Sequence, residues 1–206
     1  MTDPDPRLER WLESVLGTPG LTAVRDPAEA RRVLVDDALA AAGLVEEGPV
    51  VDVGSGGGSP GIPVALGRPD LHVDLLEAQR RKCDFLEAAA RELENVSVVC
   101  ARAEEHGRGG GRDAYGTALA QALAPVPVAL EWCLPLVRAG GRVILLAGEV
   151  DLGAAAAASA AVGGGSPSLV PLPGSERRSL LLVPKVEATP ERFPRRPGEA
   201  RKRPLA

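Results

Sequence analysis

The apolar residues of the first 45 positions recur at helical spacing. Over residues 6–16, Leu8, Trp11, Leu12, Val15 and Leu16 fall on one side of a helix. Gly17 to Gly20 breaks it. Asp26-Pro27 joins an N-cap to a proline at the first helical position, so a second helix is predicted from there to about Ala42, stopped by Gly43. From Pro49 the rhythm changes. Val50-Val51-Asp52-Val53 reads as a short buried strand closed by Gly54. Further strands are predicted over 71–76, 96–100, 114–120 and 141–146, and helices over 60–67, 79–93, 126–136 and 152–162. Strands alternating with helices through short connections predict a parallel sheet with right-handed crossovers. Two late strands, 169–172 and 179–183, read as an antiparallel hairpin at the sheet edge. The stretch Gly107–Arg112 reads as a flexible loop, and the Ala/Gly tract 153–165 as low complexity.

Composition narrows the function. The five aromatic residues are Trp11, Phe85, Tyr115, Trp132 and Phe193. So few argue against a stacking platform for single-stranded nucleic acid. The core is left to Ala, Val and Leu. The formal charge of −4 excludes the whole chain as an electrostatic nucleic-acid binder. Charge is uneven, however. From Glu191 onward Arg192, Arg195, Arg196, Arg201, Lys202 and Arg203 face only two acids, a tail suited to phosphate. Cys83, Cys100 and Cys133 are isolated and odd in number, so neither a metal site nor a disulfide is expected; plain burial is. There is no apolar run of membrane-spanning length and no secretory pattern in the polar start of the chain, so a cytoplasmic location is expected.

The segment Asp52-Val-Gly-Ser-Gly-Gly-Gly-Ser-Pro-Gly61 follows a predicted strand and precedes a predicted helix, the context in which glycines let a ligand approach the backbone closely. It lies at the carboxyl end of the first strand, where open α/β sheets bind ligands. Two frames compete. Gly56, Gly58 and Gly61 satisfy the dinucleotide fingerprint G-x-G-x-x-G. Asp52, Gly54, Gly56 and Gly58 look like the first motif of class I methyltransferases. Glu77, after the second strand, is placed to hold ribose hydroxyls in either case. A glycine turn without a ligand is the third alternative.

A more specific pattern is Val51-Asp-Val-Gly-Ser-Gly-Gly-Gly-Ser-Pro-Gly-Ile-Pro63, with Leu76-Glu77, Lys82, Phe85-Leu86 and Arg102-Ala103-Glu104-Glu105. Together with Leu21–Pro27 and the tail from Arg192 to Leu205, it resembles the small-subunit rRNA guanine-N7 methyltransferase family, also called glucose-inhibited division protein B. The resemblance covers nearly the whole chain. It implies a Rossmann-like class I S-adenosylmethionine-dependent fold, a mostly parallel seven-stranded sheet with helices on both faces. The expected division is an N-terminal helical extension (1–45), a methyltransferase domain (46–186) and a basic C-terminal tail (187–206). It implies S-adenosylmethionine as cofactor and 16S rRNA or the 30S particle as partner, with no metal and no membrane; a monomer is expected.

By position, the resemblance puts Asp52, Gly54, Ser55, Gly56, Gly58, Ser59, Glu77, Ala103, Glu104 and Gln121 at the cofactor, and Arg192, Arg195, Arg196, Lys202 and Arg203 on RNA. Gln121, where the family has an arginine, is the one catalytic candidate. Ser59, Ala147, Leu34 and Ala38 also depart from the family pattern. A weakened relative that binds cofactor or RNA without efficient turnover is therefore one alternative, and a dinucleotide-dependent oxidoreductase is another. Methylation of guanine N7 needs no general base, because the nitrogen carries no proton; alignment carries the reaction. His72 and His106 are expected to be structural or solvent-exposed.

Overall fold

The computed structural model describes residues 5–175 and 177–206. Helix α1 (Pro6–Gly17) is capped by Asp5, which accepts from the Arg7 amide at 2.8 Å. It buries Leu8, Trp11, Leu12 and Val15, the stripe its spacing predicts. Asp26 caps α2 (Pro27–Ala30) by accepting from Glu29 N at 2.8 Å. The chain continues through a π-helical turn (Arg31–Asp36) into α3 (Asp37–Ala42). The expected single helix is therefore present with a wide turn in its middle.

The seven-stranded sheet comprises β1 (Val50–Val53), β2 (Val73–Glu77), β3 (Val96–Cys100), β4 (Tyr115–Gln121), β5 (Val137–Ala147), β6 (Ser168–Pro171) and β7 (Ser179–Pro184). Their order is β3-β2-β1-β4-β5-β7-β6. The first five are parallel, and β7 runs antiparallel to both β5 and β6. The remaining helices are α4 (Gly61–Gly67), α5 (Arg80–Ala89), α6 (Ala103–His106), α7 (Val126–Cys133), α8 (Leu152–Ala161) and α9 (Glu199–Lys202), with a 3-10 turn at Leu134–Leu136. Alternate strand residues feed two cores. Val50, Leu75, Leu119 and Ile144 pack under α1 to α5. Val51, Leu76, Ala118 and Val143 pack under α7, α8 and Phe193. Helices cover both faces, as a parallel sheet requires.

The strand predicted over 114–120 forms at Tyr115–Gln121 from a sequence poor in strand-favouring residues, and this has a physical cause. This central strand is buried on both faces, and its small residues are needed there. A side chain at Gly116 would lie 2.7 Å from the Glu47 carbonyl oxygen.

Two expectations are corrected. Cys83 on α5 and Cys100 at the end of β3 are joined in a disulfide, with their Cα atoms 5.8 Å apart; only Cys133 is free and buried. The crossover from β2 to β3 brings α5 over the strand end, a proximity that spacing along the chain does not show. The Gly107–Arg112 stretch is also no loose loop. Arg112 donates to the carbonyls of Phe193 and Thr189, each at 2.7 Å, and Arg108 donates to that of Pro194 at 2.9 Å. It pins the C-terminal segment against the domain.

Candidate functional site

Strand order reverses between β2-β1 and β4, so the carboxyl ends of β1 and β4 flank an open crevice. The glycine turn rises from β1 into it. Gly54 has φ +74°, and a Cβ there would lie 2.3 Å from Leu123 Cδ1. Gly61, where α4 begins, has Asp52 and Leu75 beneath it: a Cβ would meet Leu75 Cδ2 at 2.3 Å and Asp52 Oδ2 at 2.8 Å. On the outer side Trp11 Nε1 donates to the Gly57 carbonyl at 2.8 Å, which fastens α1 to the turn.

Asp52 is 1% exposed and lies under the turn rather than on a cavity wall. Its Oδ2 accepts from Gly61 N at 3.1 Å, while Oδ1 has no partner among the described residues. Ser55 Oγ donates to the Asp52 carbonyl at 2.8 Å, so both residues brace the loop. Burial pushes the Asp52 carboxyl up to about 7, against the opposing hydrogen bond from Gly61. An acid whose pKa is raised by folding costs stability as pH rises from its unfolded value, about 3.9, to its folded one. Asp52→Asn is thus expected to gain stability relative to wild type between pH 4 and 7, reaching a plateau of at most roughly 4 kcal/mol above pH 7. Urea denaturation of both proteins at pH 5 and pH 8 checks this; an equal difference at both pH values contradicts it.

Glu77 is oriented by two backbone donors, Gly56 N on Oε2 at 3.0 Å and Gln79 N on Oε1 at 2.8 Å. Each carboxylate oxygen keeps a second lone pair. With Gly54, Ala103, Glu104, Lys82 and Trp132 it lines a cavity of about 400 Å³. Glu104 accepts from Gly198 N at 3.1 Å, which draws the tail onto the cavity's rim. Trp132 also lines this cavity, while its Nε1 is shut away from it and has no hydrogen-bond partner among the described residues.

A second cavity of about 310 Å³ continues past Gly54, Lys82 and Ala122 to Ser55, Gly56, Ser59 and Gln121. A third, of about 350 Å³, opens beyond Gln121 and Ala122 between the ends of β4 and β5. Ala122, in the left-handed region at φ +48°, touches all three. Gln121 is tied to the wide helical turn: Nε2 donates to the Val33 carbonyl at 3.0 Å. Ser59 Oγ lies 2.8 Å from Gln121 Oε1 and 2.9 Å from the Leu34 carbonyl oxygen. Asp37, 4% exposed, lines the third cavity and pairs with Arg178; burial raises its carboxyl pKa and Arg178 opposes the rise.

Most sequence-predicted residues thus converge. Gly54, Ser55, Gly56, Ser59, Glu77, Ala103, Glu104 and Gln121 border the connected cavities. Asp52 supports them from below, and Gly58 faces Ile62 and Trp11 instead. The tail splits. Arg192, Arg196, Lys202 and Arg203 are exposed. Arg195 is not available to RNA: its backbone N and Nε donate to Glu131 Oε1 at 3.3 and 2.7 Å, and its Nη2 pairs with Oε2. Lys82, Leu123, Trp132, Arg201, Asp37 and Arg178 were not singled out as site residues. No motif marks them, although Lys82 belongs to the pattern that carries the family resemblance. His106 bonds to Tyr115 Oη at 2.8 Å, away from the cavities.

The cavities fit a nucleoside with a polar tail. Glu77 offers acceptors for vicinal hydroxyls, Trp132 a ring surface, and Gly54 the space that a side chain would fill. Comparison with known proteins agrees. Residues 8–178 match the family model of rRNA small subunit methyltransferase G. The chain is 39% identical to the ribosomal RNA small subunit methyltransferase G of Moorella thermoacetica, over 90% of this chain and 82% of that one. It is 40% identical to the protein of the same name from Chloroflexus aggregans, again over 90% and 82%. Among solved structures, the T. thermophilus 16S rRNA N2 methyltransferase (RsmC), in complex with AdoMet and guanosine, superposes with a TM-score of 0.59 at 21% identity. That match covers 84% of this chain and 42% of the other.

Proposed function

The chain belongs to the rRNA small subunit methyltransferase G family, and from that premise we propose that it methylates N7 of a guanine in 16S rRNA within the 30S particle. It is an S-adenosylmethionine-dependent rRNA methyltransferase, and the dinucleotide reading of the glycine turn falls with that membership. The observation that carries the finer reading is the meeting of three cavities at Ala122: one for a nucleoside, one for its tail, one for a second base.

Bound S-adenosylmethionine supplies a methyl group on a sulfonium. Glu77 would hold its ribose, and Ala103, Glu104 and Trp132, which line the same cavity, would surround its adenine. Gly54, Ser55 and Gly56 give the tail its passage. Gln121 and Ala122 stand between tail and target base. Guanine N7 carries no proton, so the transfer would call for no acid or base from the protein. The residues therefore align and shield rather than exchange protons. The exposed Arg192, Arg196, Lys202 and Arg203 contact phosphate, giving affinity and register but no base choice. The reading carries with it a monomeric cytoplasmic enzyme, with residues 46–186 as its methyltransferase domain.

The test is methyl incorporation from labelled S-adenosylmethionine into 30S particles that lack the modification, with the site mapped by chain cleavage at 7-methylguanine. One methyl per particle at N7 is expected. No incorporation into particles or free 16S rRNA, despite cofactor binding, points to the weakened-relative reading. The uncharged amide of Gln121, engaged by Ser59 and Val33, is the observation in favour of that second reading.

A further inference from the structure

We propose that Asp37, held by Arg178, is the specificity residue that reads the Watson–Crick edge of the target guanine; this rests on the methyltransferase reading above. The two residues are 141 positions apart and meet only in the cavity between the ends of β4 and β5. Arg178 Nη1 occupies Asp37 Oδ2. Oδ1 makes no hydrogen bond among the described residues, although the side chain is almost wholly buried and lines the cavity. Arg178 is itself steadied by Ser175, whose Oγ accepts from Arg178 N at 3.0 Å. Much of the remaining wall is apolar, with Ala124, Pro125 and Leu145 offering surfaces for a flat ring.

A buried carboxylate with one free oxygen accepts hydrogen bonds and donates none. Guanine presents N1–H and N2–H donors on its Watson–Crick edge. Adenine presents an acceptor at N1, which an acceptor oxygen repels. The guanine edge lies across the ring system from N7, so a carboxylate that holds it leaves the methyl acceptor clear. Methylation turns the base into a cation and makes N1–H a stronger donor. The Asp37 contact is therefore tighter in the transition state than in the ground state, which is the condition for raising the rate. The π-helical turn just before Asp37 serves the same site. Its carbonyls at Val33 and Leu34 face Gln121 and Ser59, so α3 and the tail cavity are registered together.

The test uses 30S particles reconstituted with 16S rRNA carrying either guanosine or inosine, which lacks N2, at the methylated position. Wild type is expected to prefer guanosine by about tenfold to hundredfold in kcat/KM. In Asp37→Asn, Arg178 attracts the amide oxygen, and the amide hydrogens turn toward the donors of the base. That variant is expected to bind S-adenosylhomocysteine within about threefold of wild type, to lose about a hundredfold in kcat/KM on guanosine, and to lose the preference over inosine. Arg178→Gln, a second variant, is expected to weaken the preference in the same direction. Equal methylation of both particles by wild type overturns the proposal, as does an equal loss on both bases in Asp37→Asn. If wild type transfers no methyl group to guanosine particles, the methyltransferase reading itself fails and this proposal with it.

Discussion

Arg195→Met is expected to destabilise the folded protein by about 3–5 kcal/mol, a fall in Tm of roughly 10 °C for a chain of this size. Sequence places Arg195 in a basic tail, where such a change would alter only RNA affinity. The structure places it against Glu131, which is 1% exposed and has both oxygens on the Arg195 guanidinium. Removing the guanidinium leaves a buried carboxylate with nothing to neutralise it, and that penalty, rather than the net worth of the pair, sets the magnitude. The consequence reaches the cavity lined by Glu77 and Glu104. Arg195 anchors the segment from which Gly198 bonds to Glu104 and Arg201 stacks over Trp132 at 5.1 Å. The double variant Arg195→Met/Glu131→Leu removes the orphaned charge and is expected to recover most of the loss. Arg196→Met, at an exposed neighbour, is expected to change stability by less than about 0.5 kcal/mol and to reduce the salt dependence of particle binding by about one counterion. Thermal melts of the four proteins decide the matter. If Arg195→Met melts like wild type, the tail is not held by Glu131.

That contrast shows where reading the sequence stops. The strands were legible where short apolar runs stand between polar or glycine-containing segments, as at the buried Val50–Val53 and the partly exposed Val96–Cys100. The glycine turn and Glu77 were legible because their spacing is local. β4 was faint because a strand buried on both faces uses small residues, which carry little strand preference. The disulfide was missed because it depends on how α5 crosses over β3, and Asp37–Arg178 and Glu131–Arg195 because each pair is made by the sheet's closure across long stretches of chain. Charge alone cannot separate Arg195 from Arg196; only the position of Glu131 does.

Gly54→Trp is expected to abolish S-adenosylhomocysteine binding, a loss beyond about a hundredfold, while the protein still folds. Two separable effects act at this position. Any side chain must adopt φ +74°, which costs roughly 1–2 kcal/mol for an L-residue, and its Cβ must displace the end of Leu123. Gly54→Ala carries both of these and little else, so it measures strain; a loss of about tenfold in affinity is expected. The indole of Gly54→Trp adds bulk where the cavity lined by Glu77 meets the one lined by Ser59, and Gly54 lines both. The difference between the variants therefore isolates occupancy of the passage from distortion of the turn. Calorimetric titration with S-adenosylhomocysteine measures it, with NADH as the control ligand that none of the three proteins is expected to bind. If both variants bind S-adenosylhomocysteine alike and near wild-type strength, the cofactor does not pass Gly54, and the roles of Ser55, Gly56 and Gln121 must be reassigned with it. If Gly54→Trp alone loses binding while melting as Gly54→Ala does, the glycine turn is the cofactor's seat, and the ring of Trp132, on the wall of the cavity that Gly54 also lines, becomes the next contact to test on the adenine.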